Sequence, residues 1–292
     1  MSKDSSKHQT TAAKATKAKA QPKKTVAVEK DAATASAQAP APQLVSRKVP
    51  YKVWPWGPSA AIIVSLVSFV VSQLLVGGLI MVILLAVGWS GGRIQDWLNS
   101  IAGMFVLVAS SEGLALGILA WFIKRRKANW RILGFARGVR AKDIGLGLLW
   151  LVIYFTLLYT VASLAKSLLH VNLDQKQELG FDHLKGHAEY VMAFISLVVI
   201  PPFVEETIFR GFLFTGLRKK LPFIYAALFT SLLFAVPHLL ESSSGPLWIA
   251  GIDTFLMSMV LCHLREKTGA LWAGMLIHFL KNGIAFIALY FS

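Results

Sequence analysis

The sequence predicts an all-α fold: a polytopic transmembrane helical bundle of about seven spans behind a disordered basic N-terminal tail. Three observations carry that prediction. The 292 residues are 55% hydrophobic and only 15% charged, with a mean hydropathy of +0.58. Several apolar runs reach the ~20 residues a helix needs to cross a hydrocarbon core. The net charge of +15 lies in the tail and in alternate loops, not along one amphipathic face. That placement points to membrane topology and away from nucleic acid.

Residues 1–58 are rich in Ala, Lys, Thr, Gln and Pro and nearly free of large apolar side chains. Such a stretch buries too little apolar surface to fold, so it reads as a disordered tail. It carries no apolar run of the kind a signal peptide needs. Its lysines suit anionic lipid headgroups, although a solvated tether is the preferred reading. Trp54-Pro55-Trp56 reads as an interfacial anchor ahead of the first span.

Seven apolar segments follow, at about 59–89, 101–123, 144–169, 190–217, 222–240, 247–264 and 270–291. The first is long enough to need tilt, and Gly77-Gly78 marks a potential break. The chain therefore divides into the tail (1–58), two spans with a basic loop (59–143) and a helical core (144–292). Between spans the loops alternate in charge. The loop from Lys124 to Lys142 is strongly basic, and Asp174, Glu178, Asp182 and Glu189 make the next one acidic on balance. Basic residues return at Arg218, Lys219 and Lys220, and again at Arg265 and Lys267. A positive-inside pattern of this kind predicts a multi-pass protein of the cell membrane with a cytoplasmic N-terminus. No internal repeat is visible, which counts against a transporter built from inverted halves. The single cysteine, Cys262, excludes an internal disulfide and a cysteine-based metal motif; it reads as a small packing residue.

Ionisable residues inside apolar spans are costly, and by default they mark a functional site. The densest group is Glu205-Glu206-Thr207-Ile208-Phe209-Arg210-Gly211 in the fourth segment. Glu206 and Arg210 are four apart on one helix face and can neutralise each other. Glu205 points about 100° away, unpartnered in its own helix, as a general base would be. A structural ion cluster explains the pair about as well. His238 lies in the fifth segment, Asp253 in the sixth, and His278 and Asn282 in the seventh. Measured at 1.5 Å per residue from Arg218, Pro222 and Lys267, Glu205, His238, His278 and Asn282 lie roughly 20, 24, 16 and 22 Å deep. They share one level of a ~30 Å core, which predicts one buried constellation. Glu112 and Asp253 read as packing carboxylates in preference to further members of that cavity.

The set suits hydrolysis in two ways. Glu205 and His238 can orient and deprotonate a water while His278 and Asn282 donate to the developing oxyanion. Alternatively Glu205, His238 and His278 hold one zinc ion that activates the water, although no His-Glu-x-x-His occurs. The sequence leaves both open.

Glu205-Glu206-x-x-x-Arg210, then Phe234-x-x-x-His238, then His278-x-x-x-Asn282, resembles the CPBP family. These are the type II CAAX prenyl endopeptidases and their prokaryotic bacteriocin-processing and self-immunity relatives. The flanks Phe209-Arg210-Gly211 and Thr268-Gly269-Ala270-Leu271-Trp272-Ala273 agree, and the resemblance runs from about 144 to 291. It implies a membrane-embedded CAAX-type endopeptidase that acts on membrane-associated peptides or proteins. On this resemblance Glu205 and His238 activate water, His278 and Asn282 stabilise the oxyanion, and Glu206 and Arg210 support them. The family's metal dependence carries over only as an open question. The tail and compact size suggest a bacterial member, whose substrates would be secreted peptide precursors or bacteriocins in place of prenylated proteins. The rival from another class is a non-catalytic immunity or scaffold protein that binds a peptide or partner in the same cavity. An ion carrier using Glu112, Glu205 and Asp253 is a third reading, which the motif order disfavours.

Overall fold

A computed structural model describes residues 54–170, 180–181, 184–242 and 245–291. The chain divides into two units, 1–46 and 47–292, and the helical bundle belongs to the second. The tail, apart from its last few residues, and Asp174, Glu178 and Asp182 of the acidic loop lie outside the described residues.

The described residues form eight helices and no strand. They are α1 (Pro58–Ala86), α2 (Gly91–Leu98), α3 (Ile101–Arg125), α4 (Ala141–Leu169), α5 (His187–Arg218), α6 (Phe223–Leu239), α7 (Trp248–Thr268) and α8 (Trp272–Tyr290). A short 3-10 turn at Trp130–Leu133 links α3 to α4. Ser100 caps α3 by accepting from the Gly103 amide, and Arg137 pairs with Asp143 at 2.7 Å in the first turn of α4. Gly269, at φ +69°, ends α7 in the left-handed region that glycine tolerates best.

This is an all-α membrane bundle, but the expectation of seven spans is corrected. Among the described residues five helices are long and apolar enough to cross a membrane: α1, α3, α4, α5 and α8. The 17 residues of α6 reach only ~25 Å at 1.5 Å each, short of a ~30 Å core. For α7 the reason is composition. It carries Asp253, His263, Arg265, Glu266 and Lys267, and it buries Thr254, Ser258, Cys262 and Arg265 against protein, not lipid.

Helix α5 is the axis of the bundle, since every residue from 204 to 217 is buried. An apolar helix surrounded on all sides belongs in a protein interior. By contrast α1 and α4 present large apolar side chains outward, such as Leu74, Val82, Val152 and Leu168. Helix α1 runs unbroken through Gly77-Gly78, with a π-helical turn at Val67–Val71 upstream of them. The Trp54-Pro55-Trp56 segment packs against α5 ahead of the first span. Trp56 is buried, stacks on Phe212 at 4.6 Å and donates from its indole to the Phe212 carbonyl at 3.2 Å. A tryptophan at the start of a span can serve either an interface or a core, and here a carbonyl of α5 meets the indole N–H.

Candidate active site

Two π-helical stretches, Ile195–Val199 and Glu206–Leu213, flank a single α turn at Ile200–Glu205 in α5. Pro201 and Pro202 help to explain the first. Proline lacks an N–H, so the carbonyl four residues earlier loses its helical partner. Leu197 is four before Pro201, and its carbonyl accepts from Asn282 Nδ2 of α8 at 2.9 Å. Thr215 serves the second stretch: its hydroxyl donates to the carbonyls of Arg210 at 3.1 Å and Gly211 at 2.8 Å. π-Helical turns are rare and concentrate at functional sites.

Glu205 and Glu206, adjacent in sequence, have different surroundings. Glu206 Oε1 accepts from Arg210 Nη1 at 2.7 Å and lies 3.2 Å from His278 Nδ1. Arg210 is always charged, and its guanidinium also stacks over the Phe234 ring at 4.3 Å. A carboxylate so paired can only accept from the imidazole, so His278 Nδ1 carries a proton. Gly274 of α8 lies beside this pair, where a Cβ would meet Glu206 Oε2 at an ordinary contact distance of 3.4 Å. Across the ring, His278 Nε2 lies 3.6 Å from Glu205 Oε2. That separation exceeds a direct hydrogen bond and suits two groups addressing one water.

Glu205, His238, His278 and Asn282 all line one cavity of about 220 Å³, together with Glu241, Asp253 and Lys281. His238 Nδ1 is 2.9 Å from the carbonyl of Phe234, one turn earlier in α6. A carbonyl only accepts, so His238 Nδ1 is the protonated nitrogen and its Nε2 keeps a lone pair. Phe234 therefore underlies three groups: it supports Arg210, holds His238 through its carbonyl, and meets the edge of His278 at 6.0 Å.

The remaining sequence candidates separate. Glu112 is buried between α1 and α3, accepts from Gln73 Nε2 at 3.4 Å, and is not among the residues lining the cavity. Asp253 does line it, where it pairs with Lys281 Nζ at 2.9 Å and accepts from the Tyr154 hydroxyl. Sequence reasoning missed Lys281 and Tyr154. Lys281 carried the same signal as the others, an ionisable residue within an apolar span. The zinc alternative gains no support from the arrangement of these side chains. Among the described residues, no group of three His, Cys, Asp or Glu is arranged to hold a metal ion. Each histidine commits Nδ1 to an acceptor of the protein and leaves Nε2 for another partner, an arrangement that a water-activating and a metal-ligating histidine share.

The family model described as type II CAAX prenyl endopeptidase Rce1-like matches residues 187–284. A CAAX-protease family domain occupies that stretch. It starts at α5, so α4 lies outside the match, although the resemblance was expected to begin near 144. Comparison with curated proteins and with solved structures gave no match. The family domain and the membrane helices support a CAAX-type membrane endopeptidase activity in general terms, with a membrane-associated substrate.

Proposed function

We propose that the chain is a glutamate-dependent intramembrane endopeptidase that hydrolyses peptide bonds of membrane-associated peptides or proteins. The observation that carries this reading is Glu205 Oε2 facing His278 Nε2 at 3.6 Å across a cavity, with the other side of His278 clamped by Glu206 and Arg210.

Glu205 and the Nε2 lone pair of His238 orient a water, and Glu205 takes its proton as the oxygen attacks the peptide carbonyl carbon. The carbonyl π pair moves onto oxygen. For His278 to donate from Nε2 while Nδ1 donates to Glu206, the ring must be an imidazolium at that step, with the Glu206 carboxylate as its counter-charge. Its Nε2–H and the second amide N–H of Asn282 then meet the oxyanion. Asn282 spends its first N–H on Leu197, which fixes the side chain's direction. Glu205 returns the proton to the leaving nitrogen, the C–N bond breaks, and an amine and a carboxylic acid depart. Tyr154 binding Asp253 ties α4 to the cavity wall, which supports a protease core that includes α4, over 144–292.

Cells expressing the wild-type chain or Glu205→Gln at matched abundance provide the test, through the termini of their membrane and secreted peptides. New termini that vanish in the variant are expected. Identical profiles would overturn the proteolytic reading and favour a peptide-binding immunity or scaffold role.

A further inference from the structure

We infer that the cavity fills from the extracytoplasmic side, so that the chain cuts membrane-anchored peptides after they have been carried across the bilayer. The inference deepens the proposed function and rests on it for the cleavage. Which side is which follows from the orientation predicted by the basic loops.

Contacts between segments define two ends of the bundle. At one end Arg218 of α5 pairs with Glu266 of α7 at 2.9 Å, and Arg265 of α7 donates to the Ile132 carbonyl at 3.3 Å. The Trp272 indole at the start of α8 donates to the Arg137 carbonyl at 2.7 Å. This end exposes Lys124, Arg125, Arg126, Lys127, Lys220 and Lys267. At the other end the Leu247 amide, ahead of α7, donates to the Leu239 carbonyl of α6 at 2.8 Å. The Tyr290 hydroxyl of α8 donates to the Phe181 carbonyl at 2.8 Å, and Ile101 of α3 packs into the same cluster. Among the described residues there, Arg93, Lys166 and Lys185 are balanced by Asp96, Glu189 and Glu241. The positive-inside rule puts the first end in the cytoplasm.

The cavity opens toward the second end. Its deepest lining residues, Glu205, Met257 and His278, are buried, whereas Glu241, Ala285 and Leu289 are exposed and form its mouth. His238 is the penultimate residue of α6, and Glu241 follows that helix by two. Toward the basic end the way is closed. Residues 206–217 of α5 are all buried, and Phe212, Leu213, Cys262, Leu264 and Ala273 pack there in one core. A peptide has no path through that plug, so substrate enters and both products leave at the mouth. The reaction that supplies the substrate is therefore translocation across the bilayer, and hydrolysis comes after it.

The test uses the full chain in sealed membrane vesicles of each orientation and a positively charged thiol reagent that does not cross the bilayer. Ala250→Cys places a thiol on the cavity wall and Glu241→Cys places one at the mouth, while native Cys262 is buried and sets the background. Both variants are expected to react in right-side-out vesicles and to stay unreacted in inside-out vesicles until detergent is added. Reaction of Ala250→Cys in inside-out vesicles overturns the inference. So does a failure to react from either face, since the cavity would then not open to water. If Ala250→Cys does not fold, Ala285→Cys on α8 takes its place. The order of steps is read in cells: termini that depend on Glu205 should disappear when export is blocked, and termini that persist would overturn the order. Labelling needs no turnover. It decides the side of entry even if no terminus depends on Glu205, a result that would defeat the proteolytic reading alone.

Discussion

At the scale of single residues, two neighbouring glutamates have been given opposite tasks. Glu206 is the hub of a buried chain from Arg210 to His278, and Glu205 faces the cavity. Their substitutions should therefore differ. Glu205→Gln is expected to cut turnover by at least ~10²-fold, the usual contribution of a general base, without lowering the melting temperature in detergent. Glu206→Gln leaves Arg210 as a buried cation without its ionic partner. It should cost about 3–5 kcal/mol of stability, seen as a lower melting temperature and poorer recovery from membranes. Equal melting shifts for the two variants would refute this division. The pairing of Glu206 with Arg210 was legible from a spacing of four, because that contact is local. Its bond to His278, 72 positions away, was not.

At the scale of elements, α5 is shaped by departures from regular helix. The π-helical stretch at Glu206–Leu213 displaces its residues from ideal 3.6-residue positions, so a helical wheel misplaces whatever follows. Small residues then allow the close packing. A Cβ on Gly216 would come within 2.5 Å of the Ala61 side chain and 2.7 Å of the Trp56 ring. Gly216→Ala should thus push α1 and Trp56 away from α5 and destabilise the protein by about 1–3 kcal/mol. Thermal unfolding followed by tryptophan fluorescence would report it, and an unchanged transition would mean that the Trp56–Phe212 stack is not part of the folded core.

For the whole molecule, the basic loops divide by use. Arg218 makes a two-pronged pair with Glu266 at 2.9 and 3.1 Å, and Arg265 is buried and donates to the carbonyls of Gly269 and Ile132. Those residues hold helices together, so their count overstates the charge that can orient the chain. Lys124, Arg125, Arg126 and Lys127 are exposed at the C-terminal end of α3 and just beyond it, and remain available for that role. The proposed topology places this loop, like the N-terminus, in the cytoplasm. A cysteine at Arg126 should react with a membrane-impermeant maleimide in inside-out vesicles but not in intact cells. The sole native cysteine, Cys262, is buried and should stay silent. The reverse labelling would invert the orientation.

Composition and apolar runs by themselves determined that this is a helical membrane protein. Three motifs on separate segments marked its chemistry, because helix period and the cost of charge in lipid are written locally. The structure set the bounds of each helix, and with them which five of the described helices are long and apolar enough to cross a membrane. It alone gave His278 to Glu206, freed the Leu197 carbonyl for Asn282 and joined Tyr154, Asp253 and Lys281 across three helices. The partner of a buried polar group is chosen by packing between distant segments, and no spacing along the chain records it.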